Sequence, residues 1–150
     1  MPTFTQSIVV DAAVETVFAF HERPDALTLL TPPFPPVRMV SKSGGLEPGS
    51  QVELRVGFLP WVAMHTEYRP NRLFVDEQIK GPFAKWIHHH QFASLPGNQT
   101  RLTDQVDYLL PGGPIVNAAL GWAVNFQLKR MFRYRHKVTR QFCERSPQAS

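Results

Sequence analysis

Residues 114–143 read PIVNAALGWAVNFQLKRMFRYRHKVTRQFC, a long run that holds no proline after Pro114. Proline suits the first turn of a helix, and the preceding Gly112-Gly113 pair separates this run from the rest of the chain. Apolar side chains recur through it at helical spacing, which predicts one long C-terminal helix. The members of its predicted, mostly apolar stripe are Val116, Leu120, Val124, Gln127, Met131, Tyr134, Val138 and Phe142.

The chain ahead of this helix consists mainly of short segments that alternate as β-strands do. Thr3–Val10 is the first predicted strand, and two short helical segments follow it at 12–21 and 25–30. Short connections between the later strands favour antiparallel pairing. We therefore predict an α+β fold, in which a curved antiparallel sheet of about six to seven strands wraps around the C-terminal helix. The later strands are predicted at 37–41, 51–58, 61–69, 73–80, 85–94 and 100–110.

Composition narrows the class of protein. At 150 residues the chain is predicted to be a single domain, residues 1–150. The single cysteine, Cys143, excludes an intramolecular disulfide, and no window is apolar enough to predict a membrane-spanning helix. Since the first residues also lack the pattern of a secretory signal, we predict a cytoplasmic protein with no integral membrane segment.

The net charge of +4 comes largely from the second half of the predicted long helix. Cations near the end of a helix complement its dipole, which is the simplest explanation of this excess. No zinc-finger spacing or RNA-binding aromatic signature accompanies it, so we predict no nucleic-acid partner. The basic residues concerned are Lys129, Arg130, Arg133, Arg135, Lys137, Arg140 and Arg145.

Several short motifs carry a family resemblance. They are Phe74–Gln78 (FVDEQ), Gly81–Phe83 (GPF), Trp86–Phe92 (WIHHHQF), Asp104–Tyr108 (DQVDY) and Pro111-Gly112. With these motifs in this order of elements, the chain resembles the SRPBCC or helix-grip superfamily over nearly its whole length. Its motifs are most similar to a bacterial ligand-binding subgroup, some of whose members are labelled cell-division inhibitors.

The superfamily includes START lipid-transfer domains, birch-pollen allergens, polyketide cyclases and coenzyme-Q-binding proteins. The resemblance implies a helix-grip fold with two short helices after the first strand and an internal cavity between the sheet and the long helix. It indicates the fold and the location of a site better than it indicates an activity, because the superfamily is functionally mixed.

The hairpin predicted from strands 85–94 and 100–110 carries the residues best suited to chemistry. Side chains alternate faces along a strand, so Trp86, His88 and His90 share one face, and across the hairpin this face adjoins that of Asp104. We expect His88, His90 and Asp104 on a mostly apolar, inward-looking surface. They are candidates for a structural hydrogen-bond network, for orienting an apolar ligand, or for a histidine general base held by the aspartate.

A zinc site formed by His88, His90 and Asp104 is a further alternative. The flanking aromatic residues suit a dry pocket better, so we predict no metal and no cofactor. The direction of three other polar side chains stays open. Asp76 and Gln78 face inward only if their phase of the strand does, and the opposing phase is just as apolar. His65 shares a face with Trp61 and Ala63, whereas Met64 occupies the other face.

We predict that the cavity binds a hydrophobic or aromatic small molecule that is lipid-, isoprenoid- or polyketide-like. One alternative is an enzyme of the cyclase/aromatase type, in which His88 or His90 moves protons together with Asp104. Another is an interaction module with a filled cavity, which would contact a protein partner or a second copy of the chain around Trp122 and Phe126. The predicted ligand-binding residues are Val52, Leu54, Val56, Trp86, His88, His90, Asp104, Val106, Tyr108, Leu120, Val124, Gln127 and Met131.

Overall fold

A computed structural model describes residues 2–144 of the chain. Seven strands and three helices follow one another in the predicted order, and the long helix comes last. The elements are β1 (Thr3–Val10), α1 (Val14–Glu22), α2 (Ala26–Leu30), β2 (Val37–Ser43), β3 (Gln51–Val56), β4 (Leu59–Arg69), β5 (Leu73–Lys80), β6 (Lys85–Leu95), β7 (Gln99–Leu109) and α3 (Pro114–Cys143).

The strands form one seven-stranded antiparallel sheet in the order β1-β7-β6-β5-β4-β3-β2. Successive strands from β2 to β7 are neighbours, because each connection is short enough for a hairpin. The N-terminal strand β1 pairs with β7 and forms the edge of the sheet opposite β2. The sheet, the two short helices after β1 and the long C-terminal helix confirm the predicted helix-grip fold.

Register decides which side chains look toward α3. His90 lies opposite Asp104 in the β6–β7 pair, and Asp76 of β5 lies opposite His88. His65 of β4 in turn lies opposite Asp76. Residues that lie opposite each other point to the same face of the sheet. This row of partners places His65 and the Asp76 phase of β5 on the concave side, which settles the two orientations that the sequence left open.

The line of buried residues on α3 is shifted by about one position along the sequence from most of the predicted stripe, and Val138 belongs to both. The predicted members Leu120 and Phe142 are exposed, and several polar side chains are buried in their place. A search for apolar periodicity misses this seam, because its deepest line includes an asparagine, a histidine and a threonine. The buried residues of α3 are Asn117, Leu128, Phe132, His136, Val138, Thr139 and Cys143.

Two clusters of buried side chains hold the helices onto the sheet. The first, which we call the packed half, lies under α1 and the C-terminal part of α3. Its members are Val10, Val17, Phe18, Phe20, Leu30, Phe74, Phe92, Leu102, Val138 and Cys143. The second, which we call the cavity half, lies under the N-terminal part of α3. Its members are Trp86, Val106, Tyr108, Leu128 and Phe132.

The start of α3 is fixed to the sheet by polar contacts. The amide of Leu110 donates a hydrogen bond of 2.7 Å to Oδ1 of Asn117, and the Tyr108 hydroxyl donates one of 2.9 Å to Oδ1 of Asn125. The first of these bonds pairs the side-chain oxygen of Asn117, which is buried at this position. They also hold the helix at a fixed height above the sheet in the cavity half.

Candidate functional site

A cavity of about 510 Å³ lies between α3 and the concave face of the sheet. This volume is in the range of small-molecule sites, which are typically lined by apolar side chains with a few polar groups. Strands β3 and β4 supply most of the apolar wall on the sheet side, and the short helix α2 contributes Ala26, Leu27 and Leu30 at one end.

Nine of the predicted ligand-binding residues line this cavity. They are Val52, Leu54, Val56, Trp86, His88, His90, Val124, Gln127 and Met131. Three of them, Val124, Gln127 and Met131, belong to the predicted stripe of α3. This part of the stripe therefore faces the hollow instead of the sheet. Their contact with a ligand remains a prediction.

The other four predicted residues, Asp104, Val106, Tyr108 and Leu120, do not line the cavity. Leu120, one turn before Val124 on the same face of α3, is exposed near the start of the helix. Val106 and Tyr108 are directly beneath the helix, where they cluster with Leu128 and Phe132. Asp104 is buried behind the histidines, so a ligand in the cavity would not touch it.

Five titratable side chains form a continuous network that we call the polar belt: Asp76, His88, His90, Asp104 and His136. Asp104 accepts hydrogen bonds from Nε2 of His88 at 2.8 Å and from Nε2 of His136 at 2.7 Å. Nδ1 of His90 is 3.4 Å from Asp104, and Nε2 of His90 is 2.7 Å from Asp76. Two carboxylates thus hold three imidazoles.

The rings of the polar belt also stack. His88 lies 3.6 Å from His90 between ring centroids, and His90 lies 3.9 Å from Phe74. Stacking and hydrogen bonding together fix the orientation of both histidines. The belt therefore presents a rigid polar surface at the junction between the packed half and the cavity half.

Burial and hydrogen bonding act in opposite directions on the two aspartates. Burial alone would raise the pKa of Asp104, but hydrogen bonds from His136, His88 and His90 overcome this effect and hold the pKa well below its usual range. Burial likewise acts to raise the pKa of Asp76, and the hydrogen bond and charge of His90 lower it to about 2. Both carboxylates are therefore ionised at neutral pH.

The two histidines of the polar belt that line the cavity have opposite pKa shifts. Burial, together with the neighbouring charge of His90, lowers the pKa of His88 to about 4 against the pull of Asp104. Burial also acts to lower the pKa of His90, but hydrogen bonds to Asp104 and Asp76 raise it above its ordinary value. At neutral pH His88 is therefore neutral, whereas His90 has the stronger tendency to carry a proton.

These protonation states determine the direction of the hydrogen bonds. An ionised carboxylate only accepts, so Nε2 of His88 must carry the proton that it donates to Asp104. The free lone pair of His88 is then on Nδ1, which lies 4.0 Å from Asp76. Within the His88–His90 pair, this Nδ1 is the ring nitrogen that has no hydrogen bond to a carboxylate. A base with a pKa of about 4 is weak at neutral pH.

One donor atom from each of Asp76, His88 and His90 lies within 4.8 Å of the others, close enough to hold a metal ion. This set differs from the zinc alternative considered from the sequence, because Asp104 is occupied by its hydrogen bonds to His88 and His136. A metal would also have to displace the bond between His90 and Asp76.

Sequence reasoning missed two members of the site on α3. Arg135 was attributed to the basic excess of the helix and His136 was not considered, yet His136 is buried in the polar belt and Arg135 lines the cavity. A signal was present in the spacing, because His136 follows the apolar Phe132 by four residues and so shares its helix face. Burial lowers the pKa of Arg135.

A further buried histidine lies in the packed half. His21 of α1 hydrogen-bonds through Nδ1 to the carbonyl of Val17 at 2.8 Å. Its burial lowers its pKa to about 4 despite that bond. It also lies at the edge of the cavity.

The partner surface predicted around Trp122 and Phe126 is exposed on α3. The two side chains are 72% and 61% exposed, and their contact with a protein or a second copy stays a prediction.

The comparisons with known proteins agree with this architecture. The family described as polyketide cyclase / dehydrase and lipid transport matches residues 10–134. No curated protein matches the sequence significantly. None of the helices in residues 2–144 is long and apolar enough to cross a membrane.

Among solved structures, the chain is similar to a nucleoside-diphosphate sugar epimerase from Corynebacterium glutamicum, with 27% identity and a TM-score of 0.71. That match covers 92% of this chain but only 28% of the longer epimerase. The likeness therefore concerns a part of the epimerase alone.

Two further structures share the fold over at least 92% of both compared chains. The Zhui aromatase/cyclase from a Streptomyces species is 16% identical with a TM-score of 0.69, and the match covers 93% of this chain and 92% of that one. A START superfamily protein from Mycobacterium smegmatis is 14% identical with a TM-score of 0.66 and 99% coverage of both chains. The chain belongs to the polyketide cyclase/dehydrase and lipid transport family of the SRPBCC superfamily.

Proposed function

We propose that this protein binds a hydrophobic or aromatic small molecule in the cavity between α3 and the sheet. The observation that carries the proposal is the hollow of about 510 Å³ with a mainly apolar wall. Burial of apolar ligand surface contributes about 25 cal/mol per Å² before the costs of association are deducted. A mostly apolar guest can therefore be held without covalent chemistry.

An aromatic group on the cavity wall favours ligands with a flat or ring-containing body. Trp61 and Trp86 meet edge to face with centroids 5.1 Å apart, and Phe83 lies 4.8 Å from Trp86. Met131 of α3 packs against the cavity-half cluster that includes Trp86. Such rings provide large contact areas at a small entropic cost, because few of their torsions must be fixed on binding.

The polar belt supports a role in orientation better than a role in proton transfer. Both nitrogens of His90 face carboxylates, and Nε2 of His88 is bonded to Asp104. These groups are already committed, so they form a fixed polar surface instead of a free acid and base. Within the His88–His90 pair, Nδ1 of His88 is the nitrogen left to accept a hydrogen bond from a ligand.

The binding proposal is tested by filling the hollow from the helix. Val124→Trp places an indole into the cavity, whereas Phe126→Trp, on the exposed side of the same helix, serves as the matched control. Native mass spectrometry of protein purified from its own host should show a retained guest in wild type and in Phe126→Trp. The guest should be lost from Val124→Trp. Equal retention by both variants would place any guest outside the cavity.

A second candidate function is catalysis of the cyclase or dehydratase type. The observation that favours it is the imidazole of His88 on the cavity wall, held at 2.8 Å by the buried carboxylate of Asp104 behind it. If His88 is the catalytic base, His88→Ala should abolish turnover of a polyketide-like substrate. In wild type the rate should reach its plateau above about pH 5, one unit above the pKa of His88 of about 4. Binding alone predicts no turnover in either form and only modestly weaker retention in the variant.

A further inference from the structure

Arg135 is a cation on the wall of an apolar cavity with no partner among residues 2–144. Its side chain forms neither a hydrogen bond nor an ion pair there, and its Nε atom is buried without an acceptor. Its contact is with the face of the Phe132 ring, 5.7 Å from the guanidinium carbon. A guanidinium carries five N–H donors, so this side chain holds unused hydrogen-bonding capacity inside the protein.

The nearby carboxylates do not satisfy these donors. Asp104 is bonded to His88 and His136, and Asp76 is bonded to His90. Their negative charges act on Arg135 through space, but burial outweighs them, as the lowered pKa of Arg135 shows. An unpaired buried donor carries a desolvation cost, which an oxygen acceptor in the cavity would remove.

The formal charges on the lining favour an acidic guest. Within the described chain, the cations of the cavity lining are Arg23, Lys42 and Arg135, and the one carboxylate is Asp76. The charge of Asp76 is engaged by His90. Lys42 has no ion pair within residues 2–144, whereas Arg23 is paired with Asp25 at 2.8 Å. A cavity lined mainly by one sign of charge concentrates ligands of the opposite sign.

We propose that the ligand of this cavity is an apolar molecule bearing a carboxylate, and that Arg135 binds that carboxylate. This inference rests on the proposed binding function. The planar fork of a guanidinium matches two carboxylate oxygens, so the pair forms with two parallel hydrogen bonds. The apolar body of the ligand then extends along the wall that holds Trp61 and Trp86. The ligand class is an apolar carboxylic acid, with an aliphatic or an aromatic body.

The test compares acids with neutral analogues of the same shape. The probes are 4-alkylbenzoates with chains of graded length and the corresponding 4-alkylbenzamides, titrated by calorimetry at neutral pH. Arg135→Met removes the donors and the charge but keeps an apolar stem. Arg133→Met is the matched control, because Arg133 is exposed on the same helix and the change in net charge is identical.

Wild type and Arg133→Met should bind the benzoates more tightly than the benzamides. Arg135→Met should weaken benzoate binding by about 10- to 100-fold, the range expected for a hydrogen bond to a charged group, and should leave benzamide binding within about 3-fold. Arg135→Lys keeps the charge without the fork and should give an intermediate loss. Thermal unfolding of each variant checks that it is folded. If Arg135→Met does not fold, the loss of benzoate affinity in Arg135→Lys decides whether Arg135 binds the carboxylate.

The remaining outcomes separate the two proposals. If benzamides bind and Val124→Trp prevents it, but benzoates gain nothing from Arg135, the cavity is a binding site and the carboxylate inference is overturned. If neither series binds wild type, or Val124→Trp leaves the binding of both unchanged, the cavity is not the site and both proposals fail.

Discussion

The packed half and the cavity half lie on the same sheet and under the same helix, yet only one of them is filled. In the packed half, α1 inserts Phe18 among the rings of Tyr68, Phe74 and Phe92, with centroids 5.0 to 6.1 Å apart. In the cavity half no element corresponds to α1, and the short helix α2 reaches only one end of the space. The hollow therefore exists where a single helix faces a curved sheet.

The polar belt lies between the two halves. His90 stacks on Phe74 of the packed half, and His88 contacts the ring of Phe132 in the cavity half, 5.1 Å between centroids. Hydrogen bonds and ring stacking restrict the movement of these buried polar groups. The belt thus gives the hollow a firm polar boundary, which a wholly apolar core would tend to close over. Three predictions test this contrast, in order of decreasing effect.

The largest effect is expected from emptying the packed half. Phe18→Ala should lower the free energy of unfolding by about 3–5 kcal/mol, because the surrounding rings cannot collapse into the vacated space. Met131→Ala, beside the existing hollow, should cost less than about 2 kcal/mol, since the site already lacks contacts on one side. Urea denaturation of both variants provides the measurement. Equal losses would show that the two halves are packed alike.

The next effect concerns the hub of the polar belt. Asp104→Asn should lower the free energy of unfolding by about 2–4 kcal/mol at neutral pH, because the charged acceptor shared by His88 and His136 is lost. Asp107→Asn is the control on the same strand. Asp107 accepts a peripheral hydrogen bond from Thr3 and lies 4.0 Å from Nδ1 of His89, so its substitution should cost about 1 kcal/mol or less. A similar loss for both variants would mean that the belt contributes little to stability.

The smallest effect is a pH dependence in the packed half. The pKa of His21 is about 4 in the folded protein, below the ordinary value of 6.5, so between these values the unfolded chain binds a proton that the folded chain does not. Stability is therefore lost as pH falls from about 6.5 to about 4, at up to about 1.4 kcal/mol per pH unit for this group. His88 acts in the same direction.

His90 acts in the opposite direction, because its raised pKa gives stability at low pH that is lost as pH rises through the folded value. The contribution of His21 is isolated by His21→Phe, which removes only that titration. Between pH 6.5 and pH 5 the wild type should lose roughly 1–2 kcal/mol more than the variant in urea denaturation. Parallel pH curves for the two proteins would contradict a neutral, buried His21.

The elements of the fold were predictable because their signals are local. Alternation along 85–94 and 100–110 predicted the β6–β7 hairpin, and the run after Pro114 predicted α3. The same reasoning placed His88, His90 and Trp86 on one inward face, since a strand fixes which neighbours share a side. Each of these conclusions needs only the spacing of residues within one or two adjacent segments.

The contents of the site depended on contacts between segments far apart in the chain. Whether Asp76 and His65 face inward was decided by the register of β4, β5 and β6, which the apolar pattern of these strands leaves undetermined. Arg135 and His136 belong by sequence to a basic helix end, and only the packing of α3 onto β7 buries one and turns the other toward the hollow. Sequence alone therefore determined the elements and their order, because helix and strand periodicity are local. Tertiary structure decided the seam of α3, the polar belt and the cavity, because burial is a property of the assembled fold.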